Sequence, residues 1–210
     1  METDSRMSEL TLTIPHILGP LSRPKKSREI SMSSSRPAAV TALTLEQINA
    51  FDQDDFVAAL GPVFENSPWV AQGAWRAHPF SDVRELHRAM FAVVEAADRQ
   101  TLVDFLNAHP ALAGKEAQAG EMTTESVGEQ ASAGLDALSP EELARIGELN
   151  RTYQDRHGFP FVIAVRGHTK ESILAEFERR SGADTEAELQ TALAQIALIS
   201  RGRLDRAVSG

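Results

Sequence analysis

Only one run in this chain has the composition of a β-strand, and that run has no partner. Phe159-Pro160-Phe161-Val162-Ile163-Ala164-Val165 combines the aromatic and β-branched residues that strands favour. A lone strand leaves its amides and carbonyls without a ladder, yet buried backbone groups in native proteins are almost always paired. Both facts are met by a buried extended segment, about 159–166, set in an otherwise helical fold. Its backbone groups must then find side chains or a ligand.

The remaining chain has the signature of helices. Thr44-Leu45-Glu46-Gln47 has the form of a capping box, and a helical domain is expected to begin near there. Apolar clusters follow at Phe56–Phe64 and Trp69–Trp75, with both tryptophans read as core anchors. Val83, Leu86, Met90, Val93, Val94 and Ala97 recur at spacings of three and four, behind Ser81 or Asp82 as the cap. Asp98 starts a short helix that ends before His109-Pro110. Ser139-Pro140-Glu141-Glu142 opens another, with Leu143, Ile146, Leu149 and Tyr153 as its stripe and Gly158 as its stop. Thr169 caps a helix to about Arg180, and Asp184 or Thr185 caps the last, expected to close near 201–204. The expectation is an all-α fold, a single domain of about eight helices over 41–210. Residues 1–40 differ, with six Lys or Arg against four acids and a Ser-rich stretch. They read as an extension, disordered or loosely docked.

Composition narrows the chemistry. The 210 residues include no cysteine, which removes disulfides, thiol nucleophiles and Cys-ligated metals, and fits a reducing cytoplasm. A formal charge of −9 disfavours nucleic acid as a partner. No apolar run approaches the roughly 20 residues that span a bilayer. His78 and His87 lack the spacing of a metal pair and read as surface or packing residues.

The polar residues that remain converge on 107–138. Pro110 pushes His109 out of the α region, so the imidazole is expected where a helix has just stopped. Seventeen residues on, Ser126 and Glu129 lie three apart and share one face of any helix through them. Ser126-Val127-Gly128-Glu129 reads equally as a capping box, a purely structural device. A helix starting at Thr123 or Thr124 instead would leave both side chains free for a ligand.

The ordered combination of motifs resembles a known family. AHPALAGK at 108–115, ESVGEQASAGLDALS at 125–139, ELNRTYQDRHGFPFVIAVRGHTKESIL at 148–174 and RL at 203–204 are similar to the 2-oxo-4-hydroxy-4-carboxy-5-ureidoimidazoline (OHCU) decarboxylases, as are SPWVAQGAW at 67–75 and HPF at 78–80. The resemblance implies an all-α, cofactor-free and metal-free enzyme, commonly a homodimer, that turns the ureidoimidazoline into (S)-allantoin and carbon dioxide. It implies His109 and Glu129 as catalytic residues. Pro110, Ser126, Gln130, the backbone of Phe161, Ile163 and Val165, and Arg203 would bind the substrate. His157 stands where the family usually has an aromatic residue, and Arg201 is the alternative to Arg203. The competing readings are a non-catalytic helical binding or scaffold module, and a decarboxylase or lyase acting on another ureido acid.

Overall fold

Helix starts in this protein are set by side chains that accept hydrogen bonds from first-turn amides, which otherwise have no partner. In the computed structural model, which describes residues 42–209, Thr44, Asp52, Asp82, Asp98, Thr123, Ser139, Thr169 and Asp184 all do this. The reading of residues 1–40 as an extension lies outside the described residues.

The fold is all-α. Ten α-helices occur among the described residues: α1 (Leu45–Ala50), α2 (Gln53–Leu60), α3 (Pro68–Ala74), α4 (Val83–Glu95), α5 (Arg99–Asn107), α6 (Lys115–Ala119), α7 (Thr124–Ser132), α8 (Pro140–His157), α9 (Lys170–Ser181) and α10 (Thr185–Ala207). The excess over eight comes from short elements. Asp52 caps a second helix two residues after α1 ends, and α6 is a five-residue turn closed by Gly120 in the left-handed conformation. Leu43–Thr44 pairs in parallel with Val208–Ser209, tying the start of the described chain to its end. The centres of the expected stripes are buried (Leu86, Met90 and Val94 on α4, Ile146, Leu149 and Tyr153 on α8, Leu189, Leu193 and Ile196 on α10), while Val83, Val93, Ala97, Leu143 and Ala197 at their margins are partly buried. His78 stacks on Trp75 and contacts the Asn49 carbonyl, while His87 meets Ser200.

Between α8 and α9 the chain runs extended, with Phe159–Ile163 and Val165 buried. Its anchor is a cluster that sequence spacing did not disclose. Arg180 of α9, 2% exposed, donates to the Val162 carbonyl at 2.9 Å. The same guanidinium pairs with Glu188 of α10, which also accepts from the Tyr153 hydroxyl. It also lies 4.5 Å from the centre of the Phe161 ring, which stacks on Phe177 with centroids 3.9 Å apart. On the neighbouring stretch, Ala164 N–H donates to Gln195 Oε1 of α10 at 3.0 Å. Side chains of α9 and α10 thus replace the missing strand, and the segment is held as one wall of a cleft.

Candidate active site

His109 is delivered by α5, whose face of Leu102, Phe105 and Leu106 is buried in the core. The imidazole sits edge-on to Phe105, with ring centroids 5.4 Å apart, and its Nδ1 is 3.1 Å from the Phe105 carbonyl oxygen. A carbonyl only accepts, so in this geometry Nδ1 carries the proton and Nε2 keeps the lone pair. Burial pushes the affinity of His109 for a further proton below the usual histidine range, outweighing the opposite pull of the Phe105 carbonyl and Glu65. The ring is therefore neutral near pH 7 and has one nitrogen ready to accept.

Facing it is α7, and its true cap decides what Ser126 is for. Thr123 takes the capping role, accepting from Ser126 N–H at 3.3 Å, so Ser126 is not the cap. Ser126 and Glu129 instead lie within the first two turns, on one face. The last helix contributes the cation. α10 continues to Ala207, past the expected close, so Arg203 is held inside a helix and is 5% exposed. Arg203 donates to Ser126 Oγ at 3.1 Å and to both oxygens of Glu129 at 3.1 and 2.7 Å. Arg206, one turn on, also donates to Glu129 at 3.0 Å. Arg201 pairs with Asp205 and does not line the cleft.

A buried carboxylate that the sequence reading missed completes the network. Glu65, 2% exposed, accepts from Thr123 Oγ1 at 2.7 Å, Ser126 Oγ at 2.9 Å and Arg203 at 2.7 Å. Burial alone would raise its pKa, but the Thr123 and Arg203 hydrogen bonds overcome this and hold it below the ordinary carboxylate value. Burial likewise opposes the charge of Arg203, and Glu129 and Glu65 outweigh it, so the guanidinium titrates above its usual range. Two carboxylates and two guanidiniums leave this cluster close to neutral.

His109, Ser126, Glu129 and Arg203 border an open cleft of about 550 Å³. Its lining includes His109, Pro110, Ser126, Glu129, Gln130, Phe161, Ile163, Val165 and Arg203, so of the site residues expected from the sequence only the alternative Arg201 stays outside it. Their parts differ, however. His109 is oriented by the Phe105 carbonyl, while the hydrogen bonds of Glu129 go to Arg203 and Arg206. Gln130 braces the chain after Pro110, accepting from Ala113 N–H at 2.9 Å. Successive residues of an extended chain aim their backbone groups to opposite sides. With Val162 and Ala164 bonded to α9 and α10, the amides of Ile163 and Val165 fall on the opposite side, while the Val165 carbonyl accepts from His168 N–H at 3.0 Å. Among the hydrogen bonds of the described residues, none uses the Ile163 or Val165 amide. Arg206 also lines the cavity, a second cation that the sequence reading passed over.

An all-α scaffold that holds a neutral imidazole across a small cavity from a buried guanidinium has the build of an acid–base enzyme for a small anionic substrate. Comparison with known proteins specifies which. A profile described as OHCU decarboxylase matches residues 49–205. The chain is 44% identical over 162 residues to a 2-oxo-4-hydroxy-4-carboxy-5-ureidoimidazoline decarboxylase of Haloferax volcanii, covering 77% of this chain and 94% of that one. It is 42% identical over 166 residues to the protein of the same name from Halalkalicoccus jeotgali, covering 79% and 92%. Among solved structures, it resembles that of an (S)-allantoin synthase with a TM-score of 0.64 at 27% identity; the match covers 79% of this chain and 54% of that one. The chain belongs to the OHCU decarboxylase family.

Proposed function

We propose that the cavity between α5, α7, the extended segment and α10 is where OHCU loses carbon dioxide to give (S)-allantoin, a step of uric acid degradation. The observation that carries this reading is the neutral His109, with its free nitrogen, on the same cavity as Arg203. A volume of about 550 Å³ also suits a single small ring with a side arm.

The chemistry asks little beyond placement and proton handling. The bond between the ring carbon and its carboxylate breaks, and its electron pair flows toward the adjacent ring C=N. The ring is thus its own electron sink, so neither an organic cofactor nor a metal is called for. His109 Nε2 takes the proton of the hydroxyl on the same carbon, which becomes the carbonyl of the product. The ring nitrogen that received the pair takes up one proton, a second adds to the ureido-bearing carbon, and delivery of the latter to one face fixes the (S) configuration. Arg203, with Arg206 beside it, receives the substrate carboxylate, to which planar guanidiniums are matched. Glu129, already on both arginines, gives way to that carboxylate and turns to the hydroxyl. Ser126 and Gln130 hold the ureido arm, while Pro110 shapes the floor below it. The backbone of Phe161, Ile163 and Val165 reads the ring edge. The reading extends to a homodimer acting in the cytoplasm, with 41–210 as the catalytic domain and 1–40 as an extension. It is supported by the family resemblance and the absence of cysteine. No helix among the described residues is long and apolar enough to cross a membrane.

Two measurements test the roles. Losing a charged hydrogen bond costs about 1.5–3 kcal/mol, so Arg203→Ala should raise KM roughly ten- to a hundredfold. Arg201→Ala should leave KM unchanged; the reverse pattern would move the role to Arg201. The pH profile of kcat/KM should have an acid limb set by His109. Because burial lowers that group's pKa, the limb is expected below the ordinary histidine value of about 6.5. A limb above that value would contradict the assignment.

A further inference from the structure

Glu65 enters the site from the turn that precedes α3, and nothing in the reaction proposed above uses it. It is nonetheless the residue where the separate parts of the site meet. Its carboxylate joins the cap of α7 (Thr123), the middle of that helix's first turns (Ser126) and the far end of α10 (Arg203). A carboxylate is not buried to this degree without a full set of donors, and Glu65 has three. The neighbouring Asn66 side chain donates to the Ala108 carbonyl at 3.0 Å, which ties the same turn to the residue before His109. Glu65 and His109 also line a second, smaller cavity of about 120 Å³, with Glu116 and Glu121 on its walls. Both residues therefore border one small cavity.

The charges that reach His109 come from several elements. Glu65 and Glu129 favour the protonated ring, and Arg203 opposes it. Glu116 and Glu121 are exposed, so solvent and salt screen them. Of these carboxylates Glu65 is the one sealed furthest from water, with its charge shared with Arg203 at 2.7 Å.

We infer that Glu65 is a positioning residue for the decarboxylation. It holds Arg203 and Ser126 at the cavity wall, and it keeps a buried negative charge near His109 that stabilises the imidazole when it takes up a proton. The inference rests on the decarboxylase reading and on His109 as the base.

Glu65→Gln keeps the size of the side chain and removes its charge. The expected result is a fall in kcat of about tenfold or more, with the acid limb of kcat/KM moved to lower pH by about half a unit or more. The His109 ring, followed by NMR, should titrate lower in step. Glu65→Asp keeps the charge but draws it back by one methylene from Ser126 and Arg203. It should lower kcat while leaving the limb nearer its original place. An unmoved limb in the folded Gln variant overturns the inference, whatever happens to kcat. If the Gln variant does not fold, wild-type kcat and KM in the Asp variant overturn it. Folded wild-type protein that forms allantoin no faster than the racemic background overturns the decarboxylase reading as well; active wild-type protein with an unmoved limb overturns this inference alone.

Discussion

His109→Asn is expected to slow decarboxylation by about 10²–10⁴-fold, the usual contribution of a general acid–base group, while the fold persists. The asparagine amide can still donate toward the Phe105 carbonyl, as Nδ1 does now at 3.1 Å, so α5 keeps its end. What it lacks is a nitrogen that can take up a proton. The substrate carboxylate would still meet Arg203, so KM should change much less than kcat. That split separates a lost base from a damaged pocket. Circular dichroism of the helices checks that the protein is intact, and a rate within threefold of wild type would remove His109 from the chemistry.

Arg180→Met is the second large effect, and it is expected in stability before activity. Removing one partner of a buried ion pair typically costs about 3–5 kcal/mol. For a domain of this size that is about 6–20 °C in Tm. The loss has three parts: Glu188 is left buried with the Tyr153 hydroxyl, the Val162 carbonyl loses its donor, and the cation over Phe161 disappears. The double variant Arg180→Met with Glu188→Leu should recover part of the stability, because two apolar side chains leave no stranded charge. It should not recover activity to the same extent, since Val162 still lacks its anchor and the cleft wall is free to shift. Thermal melts and kinetics on the same samples decide this. If activity returned fully with stability, the cluster would serve the core alone and would not position the wall.

The contrast between these two residues shows what a sequence of this kind discloses. His109 was legible because proline acts locally on the residue before it, and helix ends are written within a few residues. The same holds for the caps at Asp98, Ser139 and Thr169, all of which the structure uses. The extended segment was legible by exclusion, since one apolar run without a partner strand has to be buried and bonded elsewhere. Which side chains would bond it was not. Arg180 follows Arg179 at the end of α9, where a basic pair reads as solvated charge, and Glu188 lies in the first turn of the next helix, where an acid reads as favourable to the helix start. Only the packing of α8, α9 and α10 turns them into a buried pair.

Glu65 was further out of reach. Its partners are 58, 61 and 138 residues away along the chain, and its neighbours Phe64 and Asn66 give no hint of a buried charge. Arg203 was identified through a resemblance, and its exact setting depended on α10 continuing through Gly202 to Ala207. Glycine lowers helix propensity, so a helix closing at 201–204 was the natural expectation. Tertiary contacts override it: Ser200, Arg203 and Leu204 are buried on the same helix, and Val208 pairs with Leu43 just beyond its end.

On the reading proposed above, an imidazole held neutral at the end of α5 and a guanidinium on α10 act together on one small anion. The most direct test of that reading generates OHCU in place from urate with urate oxidase and hydroxyisourate hydrolase, adds this protein, and follows the circular dichroism of the allantoin formed. Rapid appearance of optically active (S)-allantoin is expected with wild-type protein, and only slow, racemic background with His109→Asn. Racemic allantoin at the background rate with folded wild-type protein would contradict it.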